Sequence, residues 1–420
     1  MACLRRPTAH MIALLAFLFW FVGAVTYLRH LASNDPGSLF FDPKHAFDRR
    51  YSFDRQLQAD YFIANTSQPY SKAADKHSMC VGILTVQRDG TRYFRYAVGS
   101  VLAGLSVEER ADVYLTTFIV DVDPTQHQAY EEDWLHSLSD RVLTYNEAPA
   151  DVLQQVRAFD AEDPLFFKTK PLFDYVHLLK TCYANGAPYI VMLEDDVIAV
   201  DGWYARTKAA LKDLETNHDK ASVMYLRLFY NERLLGWNNE EWLRYLMWSI
   251  SAEAVLVAVV LGIRRFVSSS AVVLMPRTIA TVCLLCGPLC VALYFAAGRL
   301  TVAGLPTGIS RMDKYGCCSQ AFVFHRERVP DLITYFETSK SGFVDVLTEK
   351  YANEKELARW ALTPSVFQHV GSKSSKWGTK GKWGRYGAEN IWNFRFEDYD
   401  ADALKRASVR EHHHRQEAVG

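Results

Sequence analysis

The sequence predicts an α/β fold with a largely parallel sheet, anchored in a membrane at its start and interrupted by a membrane hairpin. Three observations predict it. Short apolar, β-branched runs alternate with helix-like stretches between residues 80 and 193. An uncharged apolar run occupies residues 11–28. Two further long apolar runs, 245–263 and 271–297, are separated only by Arg264–Ser270.

The elements follow in order. Residues 80–86 (CVGILTV) read as a buried strand and Tyr93–Leu105 as a helix. Val113–Val120 is a second strand, ending at Asp121 and Asp123. Thr169–Ala184 reads as a helix and Ala187–Leu193 as a third strand. After the second apolar region, Ala321–His325 is a strand, 330–338 and 343–360 read as helices, and the chain from Ser372 on is irregular. No internal repeat is visible.

The first apolar run follows Arg5 and Arg6 and lacks a small-residue cleavage site, so it reads as an uncleaved signal anchor behind a cytosolic tail, 1–10. The hairpin carries one charge in each arm, Glu253 and Arg277, which are expected near helix ends or paired, and Arg264 and Arg265 in its turn. Basic turns stay cytosolic. Residues 264–270 are then cytosolic, and a stem at 29–78, a first half at 79–244 and a second half at 298–420 share the lumenal side. Asn65-Thr66-Ser67 is an N-glycosylation sequon on that side.

The chain has 420 residues and a formal net charge of −1, which gives no electrostatic reason to expect nucleic acid. Of its eight cysteines, Cys283, Cys286 and Cys290 read as small apolar residues of a membrane helix. Cys80, Cys182, Cys317 and Cys318 remain as disulfide candidates for an oxidising lumen, with the pairing open.

Glu194, Asp195 and Asp196 directly follow the strand YIVML. Acids there sit at the carboxyl edge of a parallel sheet, where α/β folds bind ligands. A nucleotide sugar needs a divalent cation to bridge its diphosphate to the protein, and carboxylate oxygens suit Mn²⁺ or Mg²⁺. Strand alternation would point Glu194 and Asp196 one way and Asp195 the other.

Ile190–Val197 (IVMLEDDV) resembles the metal-binding EDD variant of the DxD motif in GT-A glycosyltransferases. Pro364–Ser375 (PSVFQHVGSKSS) and Cys318–Arg326 (CSQAFVFHR) resemble segments of the N-acetylglucosaminyltransferase IV family. With the tandem membrane insertion, the whole resembles the post-GPI-attachment GalNAc transferase family over roughly residues 80–395. The resemblance implies a GT-A fold, a Rossmann-like mixed sheet split by the hairpin. It implies that Val86, Gln87 and Arg88 meet the base and ribose, and that Lys168, Lys170, Glu194, Asp195, His369 and Lys376 contact the nucleotide sugar, with Ser372, Ser374 and Ser375 nearby. It implies Asp196, Glu194 and His369 as ligands of Mn²⁺ or Mg²⁺, and Asp345, ahead of Glu337 and Glu349, as the base of an inverting reaction.

The expected activity is transfer of GalNAc from UDP-GalNAc to the mannose core of a GPI glycolipid or GPI-anchored protein, in the Golgi membrane among membrane lipids. Two other expectations stand beside it: an N-acetylglucosaminyltransferase acting on N-glycans, and a non-catalytic glycan- or lipid-binding protein on the same scaffold.

Overall fold

A computed structural model describes residues 9–66, 70–88, 90–159, 163–267, 274–314, 316–371 and 390–404. The chain divides into two compact units, one formed by 1–47 and 232–304 and the other by 48–231 and 305–420.

The first unit holds three helices long and apolar enough to cross a membrane: α1 (Ala9–Leu31), α6 (Trp242–Phe266) and α7 (Pro276–Ala296). Gly287 and Pro288 lie midway along α7, just after a π turn over Val282–Cys286. A Cβ on Gly287 would lie 2.8 Å from Leu256 and 2.9 Å from the Glu253 carboxyl carbon, so the glycine makes room for α6 and its one acid. Glu253 is therefore mid-helix, not near an end as expected, while Arg277 is exposed at the start of α7. No ion pair joins the two among the described residues. Beyond α1, Asp35 accepts hydrogen bonds from the amide of Gly37 (2.8 Å) and from the amide and hydroxyl of Thr301 (2.8 and 3.0 Å). That carboxylate ties the end of the first helix to the end of the third.

The second unit is a mixed α/β domain. Its eight-stranded sheet runs β3 (Arg141–Leu143), β2 (Val113–Ile119), β1 (Met79–Thr85), β4 (Tyr189–Leu193), β8 (Ala321–His325), β6 (Val223–Arg227), β9 (Ala358–Thr363), β7 (Gly308–Arg311). The pairs β2–β3, β1–β2, β1–β4 and β6–β9 are parallel, whereas β4–β8, β6–β8 and β7–β9 are antiparallel. The sheet is thus more mixed than a largely parallel reading expects, because β8 enters its middle in reverse. A separate two-stranded ribbon pairs β5 (Val197–Ala199) with β10 (Phe367–His369).

Strand alternation builds a core on each face of the sheet. Met79, Val81, Ile83, Val191 and Leu193 face one, and Cys80, Ile190, Met192, Phe322 and Phe324 the other. Helix α4 (Phe166–Asn185) packs on the second face, where Gly82 leaves space for Leu178 and Cys182 bridges to Cys80 across a Cα separation of 5.5 Å. On the first face, α2 (Tyr51–Asn65) meets α3 (Tyr93–Leu102) closely. A Cβ on Gly99 would come 2.6 Å from the Ala59 carbonyl oxygen. Arg55 of α2 is buried, with its guanidinium on the carbonyls of Ala199 and Ser100 and 2.7 Å from Asp201. Helix α5 (Trp203–Asn217) also lies on this face. Past β8, α8 (Val329–Ser339) and α9 (Val344–Glu354) precede β9, so the helix expected over 343–360 stops early and its last residues, Ala358–Trp360, open strand β9. Residues 394–398 form a short 3₁₀ turn.

Candidate active site

The parallel register of β1 and β4, with Ile83 beside Leu193, brings Thr85 and the 194–196 segment to one sheet edge. Residues 194–196 form a turn between β4 and β5 rather than extended strand. The alternation expected of the three acids therefore does not hold. Asp195 and Asp196 share one partner, the guanidinium of Arg88, which contacts Asp195 Oδ1 and lies 3.2 Å from Asp196 Oδ2. Glu194 turns the other way and accepts from Ser319 Oγ (2.5 Å) and Gln320 Nε2 (3.2 Å).

Each acid has its own support. Asp195 Oδ2 accepts from the Thr85 hydroxyl at 2.9 Å, and Thr85 in turn lies 3.0 Å from His127 Nε2. His127 Nδ1 accepts from the Ala129 amide at 3.2 Å, so the ring proton sits on Nε2 and points at Thr85. Burial pushes His127 down to about 4, which keeps it neutral. Burial raises the Asp195 carboxyl against the pull of Arg88. Asp196 is also buried, yet His369 and Arg88 hold it below the usual carboxylate range.

The β5–β10 ribbon delivers His369. It pairs with Val197 in register, and the Val370 amide donates to the Asp196 carbonyl at 2.8 Å. His369 Nε2 stands 3.4 Å from Asp196 Oδ2, and Nδ1 lies 3.0 Å from the Ile391 carbonyl. With Nδ1 donating to a carbonyl, Nε2 is the nitrogen that would ligate a cation on losing its proton. Burial works against the imidazolium, but Asp196 raises the His369 pKa overall.

Whether this corner suits a cation can be tested on its own atoms. Asp196 Oδ1 is buried with no hydrogen-bond partner. A Cβ on Gly371 would collide with Asp196 and lie 2.9 Å from His369 Nε2, so the missing side chain is what opens the space. One carboxylate and one imidazole suit Mn²⁺. Of the three residues assigned to the metal, Asp196 and His369 come together and Glu194 is directed away. Among the described residues no three His, Cys, Asp or Glu side chains converge as a ligand set.

Asp345 lies in the first turn of α9, half-buried, accepting the amide of Cys318 on Oδ2 (2.7 Å) and of Val346 on Oδ1 (2.9 Å). Phe343, not Asp345, is the helix N-cap. The other two carboxylates weighed as the base are elsewhere engaged. Glu337 is exposed and paired with Lys180 (2.5 Å). Glu349 is buried, with Oε1 accepting from Arg227 (2.7 Å) and Tyr225 (2.5 Å), and Oε2 from Arg359.

The remaining expected residues scatter. Gln87 donates its amide to Asp121 (3.1 Å) and accepts from the Gln128 amide (3.0 Å), beside half-buried Val86. Lys168 lies over the rings of Phe167 and Phe343. Lys170 is buried on Asp174 (2.5 Å) and the Val120 carbonyl (3.1 Å), a structural placement for a residue assigned to phosphate. Lys376, with Ser372, Ser374 and Ser375, lies outside the described residues. Asn65 ends α2, its side-chain amide on the Tyr61 carbonyl. The cysteines pair as Cys80–Cys182 and Cys317–Cys318. Sequence reasoning missed His127 and Arg227, which act on residues far away in the chain and which no local pattern marks; Ser319 and Gln320 stand in the CSQAFVFHR segment, and Thr85 stands next to Val86–Arg88, but the sequence assigns none of the three its contact with an acid.

The family model described as GPI-N-acetylgalactosamine transferase PGAP4 matches residues 79–368. The alpha-1,3-mannosyl-glycoprotein 4-beta-N-acetylglucosaminyltransferase C of Macaca fascicularis is 27% identical over 182 residues, 41% of this chain and 37% of that protein. Its Mus musculus counterpart matches at the same identity and coverage. The corresponding transferase A of Xenopus tropicalis is 24% identical over 140 residues, 31% of this chain and 26% of that protein. The chain thus spans at most 37% of the length of these relatives. The family match takes in most of the chain, including β4, the three acids and two of the three long apolar helices, α6 and α7, and it ends at Gln368, just before His369: the chain belongs to the GPI-N-acetylgalactosamine transferase PGAP4 family.

Proposed function

We propose that this chain is a GT-A glycosyltransferase that moves GalNAc from UDP-GalNAc to the mannose core of a GPI anchor, with inversion and with Mn²⁺ or Mg²⁺. The observation that carries it is the corner where Asp196, with one oxygen unpartnered, faces His369 behind Gly371. A cation bound there would supply positive charge against the diphosphate leaving group. Asp196 and His369 would hold it, and Arg88 brings a second positive charge to the same edge. His127 and Thr85 fix Asp195 in place beside them. Asp345 takes the proton of the acceptor hydroxyl. Each of its oxygens accepts one hydrogen bond and keeps a lone pair.

Family membership supports the GPI acceptor, as do three helices able to cross a membrane and set into the same chain. Two disulfides support a lumenal, Golgi placement in an oxidising compartment. The curated relatives favour a second reading, a GlcNAc transferase acting on N-glycans.

The test is release of UDP by the detergent-purified protein from a panel of UDP-sugars, with Mn²⁺, with and without a GPI-like acceptor. Acceptor-stimulated release from UDP-GalNAc, lost in Asp196→Ala and in EDTA, is expected. Preference for UDP-GlcNAc and free N-glycans would replace it with the second reading. No turnover of any donor would leave only a binding protein.

A further inference from the structure

Two of the carboxylates just described are oriented by one loop. Cys318 donates its amide to Asp345 Oδ2 at 2.7 Å. The next residue, Ser319, and the one after, Gln320, donate their side chains to the two oxygens of Glu194, and the Gln320 carbonyl accepts the Glu194 amide at 3.0 Å. Three consecutive residues therefore set both the acid before the Asp pair and the carboxylate facing the acceptor.

Nothing in the residue types of this loop would hold it so. Cys318 has a φ of 90°, a left-handed conformation that a non-glycine residue adopts at a cost. Two features impose it. The disulfide to Cys317 closes the smallest ring two adjacent residues can form. Beneath it, buried Arg227 donates through Nη1 to the carbonyls of both Cys317 and Cys318, the latter at 2.6 Å. The same guanidinium holds Glu349 Oε1 through Nη2 at 2.7 Å, one helical turn beyond Asp345 on α9. Loop and helix are gripped by one side chain.

We propose that the Cys317–Cys318 disulfide is a positioning element of the transfer reaction: it holds the backbone that orients Glu194 and Asp345 together. Its effect runs through those carboxylates and not through contact with the reacting atoms. The proposal rests on the transferase reading and sharpens it, since a purely structural disulfide would not have to be placed between the two acids. It contrasts with Cys80–Cys182, which lies wholly inside the core.

The test uses the full-length detergent-purified enzyme with Cys317→Ala/Cys318→Ala and Cys317→Ala/Cys318→Gly double variants. Glycine takes a left-handed φ without strain. In the alanine pair kcat for transfer should fall by about 10²-fold, the cost of a displaced reacting group, while KM for the UDP-sugar stays within about threefold. The glycine pair should recover at least about tenfold of that loss, a rescue that loss of a mere fold staple would not show. An alanine pair with normal kcat, or a glycine pair no better than it, overturns the proposal. Should the alanine pair fail to fold, the folded wild-type enzyme is reduced and alkylated, with the modified cysteines located by mass spectrometry. Cys80 and Cys182 are fully buried and Cys317 is not, so labelling at 317 and 318 should bring the same loss of kcat, and full activity after labelling there overturns the proposal. A wild-type enzyme inactive on every UDP-sugar overturns the transferase reading and this proposal together; an active wild type beside an unaffected alanine pair overturns the positioning role alone.

Discussion

Two of the buried groupings of arginine and carboxylate in the α/β unit, one around Glu349 and one around Asp196, differ in how completely they are satisfied. Around Glu349, Arg227, Arg359, Tyr225 and Asn353 close a network in which both carboxylate oxygens accept hydrogen bonds. Around Asp196, Arg88 and His369 share one oxygen and leave the other with no partner. Charges buried in a low-dielectric interior cost several kcal/mol unless they are paired. A cluster satisfied on every side is part of the scaffold, and the cluster with an open lone pair beside a missing side chain is the one proposed to take the cation.

The sharpest way to break that contrast is to remove one acid from each cluster. Glu349→Ala strands two buried guanidinium groups and should cost about 3–5 kcal/mol, seen as a large drop in thermal midpoint or as loss of soluble protein. Asp196→Ala should lower transfer by about 10²–10³-fold with the thermal midpoint nearly unchanged. A stable Glu349→Ala enzyme beside an unfolded Asp196→Ala would reverse the two assignments. Next in size, His369→Ala should weaken Mn²⁺ binding by at least about tenfold, read by titration calorimetry without any sugar donor. Gly371→Ala should weaken it too, because its Cβ would occupy the space between the two ligands; unchanged binding in both would remove the cation from this corner.

Smaller effects test the support of Asp195. Thr85→Val removes its donor while keeping the side chain's shape, and should cost about 1–3 kcal/mol. His127, held near 4 against an ordinary 6.5, binds its proton in the unfolded chain before the folded one. Stability should therefore rise with pH through that window, by up to about 1.4 kcal/mol per pH unit for this one group. His127→Gln should flatten that portion of a chemical-denaturation series; an unchanged slope would show that His127 is not held neutral.

How much of this was legible in the sequence depended on how local each signal is. The apolar runs of the three long helices and the compact strands β1, β2, β4 and β8 announce themselves through composition. The three-residue strands β5 and β10 do not, and the first half of β9, Ala358–Trp360, looks like the end of a helix because it follows a helical stretch with no Gly or Pro between them. At the site, the EDD acids were visible as a string, but their directions were not. Alternation applies to strands, and these residues form a turn. That Arg88 would gather Asp195 and Asp196 while Ser319 and Gln320 take Glu194 is a product of the sheet order, which brings residues more than a hundred positions apart to one edge. Lys170 shows the opposite failure: a lysine of suitable type and place whose charge is spent on Asp174 inside the core.

The order of strands also dictates when this molecule can finish folding. Strand β8 lies between β4 and β6, and β6 pairs only with β8 and β9 among the described strands. Both of those are encoded after α6 and α7. A nascent chain emerging from the ribosome with everything up to the first arm of the hairpin holds a half-built sheet with two open edges and no partner for Glu194. Completion waits until the hairpin has been translated and the remaining strands have followed it. Through that interval the open edges are the kind of surface chaperones bind. Because α6 and α7 are encoded between β6 and β8, the whole hairpin is translated before the sheet of the α/β unit can close.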